Sequence, residues 1–165
     1  MKIKRLTVCA VLTAMACTLF WIELQIPAPV PIPGIKLGLA NIVTLFAIFA
    51  LGPVDGVLIL LLRILLGGLI GGNPMAVAYS LAGGMVCYLV TFVLRKVLGN
   101  KQIWVAGVLG AVAHNVGQIL VALAVTQTPE ILVYFPVLLV SGMATGLFTG
   151  LLAQFCVIRI GQKLH

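Results

Sequence analysis

The sequence has very few charged residues, and acidic residues are the scarcest of them. Of its 165 residues only 8% are charged, and only three are acidic. Soluble domains carry about 25% charged residues, so a water-soluble fold of this length would lack the polar side chains that cover a surface. The hydrophobic share of 62% agrees with this conclusion. The composition therefore predicts an integral membrane protein.

The scarcity of acidic residues also excludes several kinds of chemistry. Glu23, Asp55 and Glu130 are widely separated along the chain, and none is paired with another. A two-carboxylate site, or a magnesium site for a diphosphate, therefore cannot be built from this chain alone. The sequence also lacks the G-x-x-x-x-G-K-[ST] pattern of a nucleotide-hydrolysing loop. We predict that the chain is not itself an enzyme.

The sequence offers little for a metal, a cofactor or a nucleic acid. Its four cysteines lie in apolar runs without a C-x-x-C pattern, which is typical of small buried side chains. His114 is the one histidine inside an apolar run, where a hydrogen-bonded interior role is commoner than metal ligation. The basic residues lie in short polar breaks and form no basic face. We therefore predict no metal, no cofactor and no nucleic-acid partner.

What the sequence does contain is a series of long apolar runs separated by glycine, proline and basic residues. A membrane crossing needs about 20 such residues, and the runs predict an all-α bundle of six transmembrane helices in one domain, residues 1–165. The predicted spans are Leu6–Ile26, Leu37–Leu51, Val54–Ile70, Met75–Leu94, Ile103–Val125 and Ile131–Ile160.

The distribution of basic residues predicts the orientation of the bundle. With six spans both termini lie on one side of the membrane, and the segments on that side carry eight of the ten basic residues. Lys36 lies in a loop on the other side, and Arg63 lies within a span. Because basic residues are enriched in cytoplasmic segments, we predict that both termini are cytoplasmic.

Small residues recur at four-residue spacing within several spans. Gly142, Gly146 and Gly150 form such a stripe in the sixth span, and Ala10 and Ala14 form an A-x-x-x-A pair in the first. Stripes of this kind let helices approach closely in lipid. Most of them are expected to pack within the bundle, which leaves room for one to face a partner membrane protein.

A few polar side chains are predicted to lie deep in the membrane. Arg63 falls near the middle of the third span, and His114 falls at a similar depth in the fifth, with Asn115 beside it and Gln118 one turn further on. Asn41 is expected nearer the outer surface. Asn73, between the third and fourth spans, is expected there too.

Two interpretations of these residues remain open. In one, Arg63 is structural and is held by backbone carbonyls and by His114 or Gln118. In the other, the polar groups line a pocket that opens to the outer side, and Arg63 attracts an anionic or carbonyl-rich ligand. No carboxylate is expected at the depth of Arg63, which favours the ligand.

Several segments of the chain resemble one known family. They are PGIKLGLANIVTLFA (33–47), LLRILLGGLIGGNP (61–74), YSLAGG (79–84), LGAVAHNVGQ (109–118) and PVLLVSGMATGLFTGLLA (136–153). Together they resemble the Gx transporters, also labelled heptaprenyl diphosphate synthase component I, over nearly the whole chain. That family is similar to the six-helix S components of energy-coupling-factor vitamin transporters.

The resemblance implies a partner and a gate. In S components an A-x-x-x-A pair on the first helix meets the coupling subunit, and Ala10 and Ala14 match it. The loop after the first helix gates a pocket near the outer face there, and residues 27–36 would do so here. The resemblance also implies the cytoplasmic membrane of a bacterial cell.

We therefore predict a binding and transport subunit for a small molecule, such as a vitamin or a quinone or flavin precursor, with separate coupling and ATPase partners. The alternative is a non-catalytic accessory subunit for prenyl diphosphate or menaquinone synthesis, or for flavin-linked extracellular electron transfer. The predicted ligand-binding residues are Arg63, His114, Asn115, Gln118, Asn41 and Asn73, and the predicted partner-binding residues are Ala10 and Ala14.

Overall fold

The structure is a computed structural model and describes residues 3–26 and 36–161. All regular secondary structure in these residues is helical, and five helices are long and apolar enough to cross a membrane. The elements are α1 (Ile3–Gln25), α2 (Asn41–Ala50), α3 (Pro53–Gly71), α4 (Pro74–Val97), α5 (Ile103–Thr126), a 3₁₀ helix (Pro129–Tyr134) and α6 (Phe135–Arg159).

The second predicted span, Leu37–Leu51, is only partly helical. Its helix α2 has 10 residues and is about 15 Å long, half of the roughly 30 Å hydrocarbon layer. Residues 36–40, named here the unwound segment, precede it without forming a helix. Gly38 has a φ of +82°, a left-handed conformation that interrupts a helix. The helix therefore covers only the second part of the short predicted span, from Asn41 to Ala50.

The helices alternate in direction, which defines two ends of the bundle. Arg5 near the start of α1 forms an ion pair of 2.6 Å with Asp55 in the first turn of α3, so both helices begin at the same end. The short connections Gly72–Asn73 and 98–102 turn the chain between α3, α4 and α5. We call the end where α1, α3 and α5 begin the basic end, and the opposite one the far end.

The second crossing runs from the far end to the basic end. α2 is antiparallel to α3, because Asn41 contacts Arg63 and Ile48 contacts Gly56 nearer the start of α3. At its other end Ala50 approaches Gly161 beyond α6, at the basic end. The unwound segment therefore lies on the far-end side of α2 and completes the crossing toward α1.

Small residues bring the helices together, as the stripes predict. A Cβ added to Gly107 of α5 would lie 2.5 Å from the carbonyl oxygen of Gly146 on α6. A Cβ added to Gly117 would lie 2.7 Å from the carbonyl oxygen of Ala82 on α4. Glycine at these positions therefore permits direct backbone contact between α5 and both of its neighbours.

The apolar core surrounds α2, while the outward faces of the long helices are also apolar. Ala47 and Ile48 of α2 are fully buried, together with Ile59 and Leu60 of α3. Large hydrophobic side chains such as Leu69 are strongly exposed on the outside. An apolar exterior of this extent matches lipid as the surrounding solvent.

Candidate functional site

The unwound segment places backbone polar groups inside the bundle, and Glu23 binds two of them. The Oε1 atom of Glu23, near the end of α1, accepts hydrogen bonds from the backbone nitrogens of Gly38 and Leu39, the latter at 3.1 Å. Non-helical backbone at membrane depth is tolerated only where protein or a cavity satisfies it. Glu23 therefore performs this task for one side of the segment.

Gln118 of α5 binds the same segment from the other side. Its amide is oriented by its neighbours, with the oxygen toward His114 and the nitrogen toward the carbonyl oxygen of Lys36. In this orientation the amide nitrogen donates to the Lys36 oxygen at 3.1 Å, and the amide oxygen accepts from the Lys36 nitrogen at 3.3 Å. Both backbone groups of Lys36 are thus satisfied by one side chain.

Four of the predicted site residues form one chain of hydrogen bonds. The Nη2 atom of Arg63 donates to Oδ1 of Asn41 at 3.2 Å, and Nδ2 of Asn41 donates to Nδ1 of His114 at 3.1 Å. The Nε2 atom of His114 then donates to the oxygen of Gln118 at 3.1 Å. Because Nδ1 accepts and Nε2 donates, these partners assign a neutral imidazole protonated at Nε2.

This Arg63–Gln118 chain links three helices to the unwound segment. Gly83 of α4 makes room for it, since a Cβ there would lie 2.8 Å from Nδ1 of His114. Arg63 is 2% exposed, and its Nε atom has no hydrogen-bond partner among the described residues. Asn41 lies deeper than the sequence suggested, because α2 begins at the level of Arg63 and His114 rather than near the surface.

The other two predicted ligand-binding residues lie elsewhere. Asn115 is buried and faces α6, where its Nδ2 atom donates to the carbonyl oxygen of Leu138 at 2.5 Å. Asn73 caps α4, with its Oδ1 atom accepting from the backbone nitrogens of Met75 and Ala76. The structure therefore does not bring all six residues to one place.

A cleft of about 300 Å³ opens at the far end, between α1, α3, α4 and the start of the unwound segment. None of the side chains of the Arg63–Gln118 chain lines this cleft, whereas Asn73 does. The polar lining residues are Glu23, Lys36, Asn73 and Ser80, and the apolar ones include Phe20 and Ile64. The space that could hold a ligand thus lies beside the predicted residues, toward the far end.

Lys36 connects the cleft to the hydrogen-bonded chain behind it. Its side chain is 8% exposed, and its Nζ atom lies 3.7 Å from the centre of the Phe20 ring. Nζ has no hydrogen-bond partner among the described residues. The wall of the cleft therefore includes a buried basic side chain.

Sequence reasoning missed Lys36, Glu23 and Phe20 as candidate ligand contacts. Lys36 was assigned to an outer loop, and Glu23 to the end of the first span. A usable signal was present, because Glu23 and Lys36 bracket the apolar, proline-rich residues 27–35 with opposite charges. Residues 27–35, most of the predicted gate, lie outside the described residues.

The predicted partner-binding pair lies on the surface of the bundle. Ala10 and Ala14 are both exposed on α1, whereas Ala16 on the same helix is fully buried. A small-residue face on the outside of a membrane bundle is free to approach another helix closely.

Apolar helices, an apolar exterior and a polar interior around a half-unwound crossing define a multi-pass membrane protein. The chain belongs to the family described as heptaprenyl diphosphate synthase component I, whose model matches residues 12–156. This confirms the resemblance found in the sequence. Searches of curated proteins and of solved structures each found no significant match.

Proposed function

We propose that this protein is the ligand-binding membrane subunit of a transport system for a small molecule, similar in role to an S component. The observation that carries the proposal is the cleft, with the buried ammonium group of Lys36 in its wall, for which the described part of the chain offers no hydrogen-bond partner. Ionisable groups buried within a membrane are costly and commonly mark substrate or ion sites. The bacterial cytoplasmic membrane is the proposed location.

The discontinuous second crossing supports a transport role. In many transporters the substrate site lies where a membrane helix is interrupted, because the freed backbone groups and nearby side chains create polar binding surfaces. Here the unwound segment contributes Lys36 to the cleft, and Glu23 both lines the cleft and binds the segment. A ligand in the cleft would therefore contact the groups that hold the second crossing in place.

The predicted residues take two different roles in this proposal. Asn73 is a direct ligand contact from the cleft wall. Arg63, Asn41, His114 and Gln118 are positioning residues that hold the unwound segment from behind. Asn115, which binds α6 and follows His114 in the chain, remains a proposed site residue.

The sequence contains no nucleotide-binding loop, so transport driven by ATP would need other subunits. We propose a separate coupling membrane subunit and ATPases as partners, with the exposed Ala10–Ala14 face of α1 as the contact.

The family description favours a second candidate. A protein named as component I of a heptaprenyl diphosphate synthase would act as a non-catalytic membrane subunit beside a soluble synthase component. Menaquinone synthesis or flavin-linked electron transfer would then be the process it supports.

Isolation from the membranes of a producing cell distinguishes the two candidates. The tagged chain is extracted in mild detergent, and both its protein partners and its bound small molecules are identified by mass spectrometry. Recovery of an ATPase pair and a bound small molecule supports transport. Recovery of a soluble prenyltransferase or a flavoprotein, with no small molecule, contradicts transport and supports the accessory role.

A matched pair of variants tests the proposed contact face. Ala10→Leu with Ala14→Leu should reduce recovery of the coupling partner at least tenfold, because larger side chains prevent close helix approach. Val11→Leu with Met15→Leu, exposed on the same helix at the same spacing, should leave recovery unchanged. Equal recovery in both variants would exclude this face as the contact.

A further inference from the structure

We propose that the cleft binds a small molecule with one negative charge and an apolar body, and that Lys36 is the residue that binds the charge. This inference rests on the proposed ligand-binding function and adds the chemical class of the ligand. It assigns recognition to Lys36, which the sequence did not single out, rather than to Arg63.

The first step concerns the positions of the three acidic side chains. Asp55 is paired with Arg5 at the basic end. Glu130 is exposed on the 3₁₀ helix, which packs against α5 and α6 and not against the helices of the cleft. Glu23 is therefore the one carboxylate available to the cleft. Residues 27–35 contain no ionisable side chain at all, so they add none.

The second step concerns the net charge of the side chains in and behind the cleft. Lys36 lines the cleft together with Glu23, and the buried Arg63 lies behind them, joined by hydrogen bonds through Asn41 and His114 to the Gln118 side chain that binds Lys36. His114 is neutral in its hydrogen-bonded state. One carboxylate against two cations leaves an excess of one positive charge in a buried environment. Unbalanced buried charge is costly, and a monoanion removes the imbalance while a neutral ligand or a cation does not.

The third step concerns the surroundings of the Lys36 ammonium group. Glu23 already binds the backbone nitrogens of Gly38 and Leu39 with one oxygen. It forms no ion pair with Lys36 within the described residues, where Arg5–Asp55 is the one such pair. The Nζ atom of Lys36, a residue that lines the cleft, thus lies against the Phe20 ring with three donors and no hydrogen-bond acceptor among the described residues. A carboxylate on the ligand would supply the missing acceptor.

The remaining wall of the cleft is suited to an apolar body. Phe20 packs directly on Gly67 of α3, where an added Cβ would lie 2.9 Å from its ring. Gly68, Gly71 and Ile64 continue this face of α3 along the cleft. A volume of about 300 Å³ lies at the lower limit of ligand pockets, which run from about 300 to 1,000 Å³. The ligand is therefore small, with a carboxylate at one side.

The test measures equilibrium binding to the purified full-length chain in lipid nanodiscs. The probes are a panel of small aromatic and aliphatic monocarboxylates, each compared with its own neutral primary amide at pH 7. We expect at least one carboxylate to bind tenfold or more tightly than its amide. Lys36→Met should abolish this preference. Lys101→Met, which removes an exposed lysine of the α4–α5 connection, should retain it.

A conservative variant separates charge recognition from a structural role. Lys36→Arg, which keeps the positive charge, should keep the preference for carboxylates over their amides. A loss of this preference in Lys36→Arg as complete as in Lys36→Met would contradict the proposal.

The outcomes distinguish this inference from the proposed function. If no carboxylate exceeds its amide, or if Lys36→Met keeps the preference, the inference is wrong. If a neutral or cationic molecule is recovered with the native protein and binds again to it, the inference is wrong while the transport function stands. If neither a native ligand nor any probe binds, both are wrong.

Discussion

The two halves of the second membrane crossing satisfy their backbone hydrogen-bonding groups in different ways. In α2 the backbone bonds to itself, and seven of its ten residues are buried, six of them apolar. In the unwound segment the backbone bonds to Glu23 of α1 and Gln118 of α5. Lipid offers no hydrogen-bond partner, so backbone groups within a membrane must be satisfied by the protein or by water in a cavity. The helical half needs only its own chain, whereas the unwound half depends on two other helices.

This difference indicates where function is located. The unwound half requires a buried acid, a buried amide and a supporting chain through His114 and Asn41 to Arg63. It also leaves the ammonium group of Lys36 without a partner among the described residues. A continuous helix would avoid all of these groups, so their presence at one level next to a cleft favours a binding role.

The largest effect is expected from removing Glu23, because two backbone donors then lose their acceptor. Glu23→Ala should destabilise the protein by about 2–6 kcal/mol, at about 1–3 kcal/mol for each buried unsatisfied group. Thermal unfolding in detergent measures the change. Glu23→Gln, which keeps an acceptor oxygen, should lose less stability than Glu23→Ala. Glu130→Ala, at an exposed position, should change little. Equal losses at both positions would contradict the role given to Glu23.

A smaller loss of stability is expected from substitution of a glycine at the contact between α5 and α6. Gly107→Val places methyl groups against the backbone of Gly146 and Gly150 and should cost about 1–3 kcal/mol through overpacking. Gly99→Val, at a position with open space around it, is the matched control. A stable Gly107→Val protein would show that this contact is loose.

Replacing Arg63 tests whether this residue is needed for folding or for ligand binding. Arg63→Met removes one buried charge and one hydrogen bond to Asn41, so we expect a folded protein. Carboxylate binding should weaken at least tenfold, about 1.4 kcal/mol, because the excess positive charge of the site disappears. Arg63→Lys should retain part of the affinity. Failure of Arg63→Met to fold, judged by size-exclusion chromatography, would instead show that Arg63 is structural.

The smallest effect expected is a gain of stability in the ligand-free protein. Lys36→Met removes an ammonium group that is buried without a hydrogen-bond partner among the described residues. The variant should therefore be more stable than the wild type at pH 7 by about 1–3 kcal/mol. Thermal unfolding in detergent measures the change, and a less stable Lys36→Met protein would contradict this expectation.

The helices themselves were largely predictable. The predicted span Ile103–Val125 differs from α5 by one residue, and Val54–Ile70 differs from α3 by one residue at each end. Proline and glycine at the boundaries and long apolar runs between them carry this information locally. The sixth span was less accurate, because Pro129–Tyr134 forms a 3₁₀ helix before α6 begins.

The site was predictable only in part, because the sequence did not show that the second crossing is half unwound. Depth counted along helices correctly suggested that Arg63, His114 and Gln118 share one region. The same counting assumed a helix through Leu37–Leu51 and therefore placed Asn41 too near the outer surface, away from Arg63 and His114. Hydropathy does not distinguish an apolar helix from an apolar extended segment, since both have the same composition.

The sequence by itself determined that this protein is a membrane bundle, where most of its helices lie and which glycines bring them together. These properties follow from local composition and spacing, because each helix satisfies its own backbone and turns one face to lipid. Only the tertiary structure decided that the second crossing is half unwound, that Glu23 and Gln118 satisfy it, and that Lys36 faces a cleft. These features depend on hydrogen bonds between residues far apart in the chain, and such bonds form only when the helices are packed.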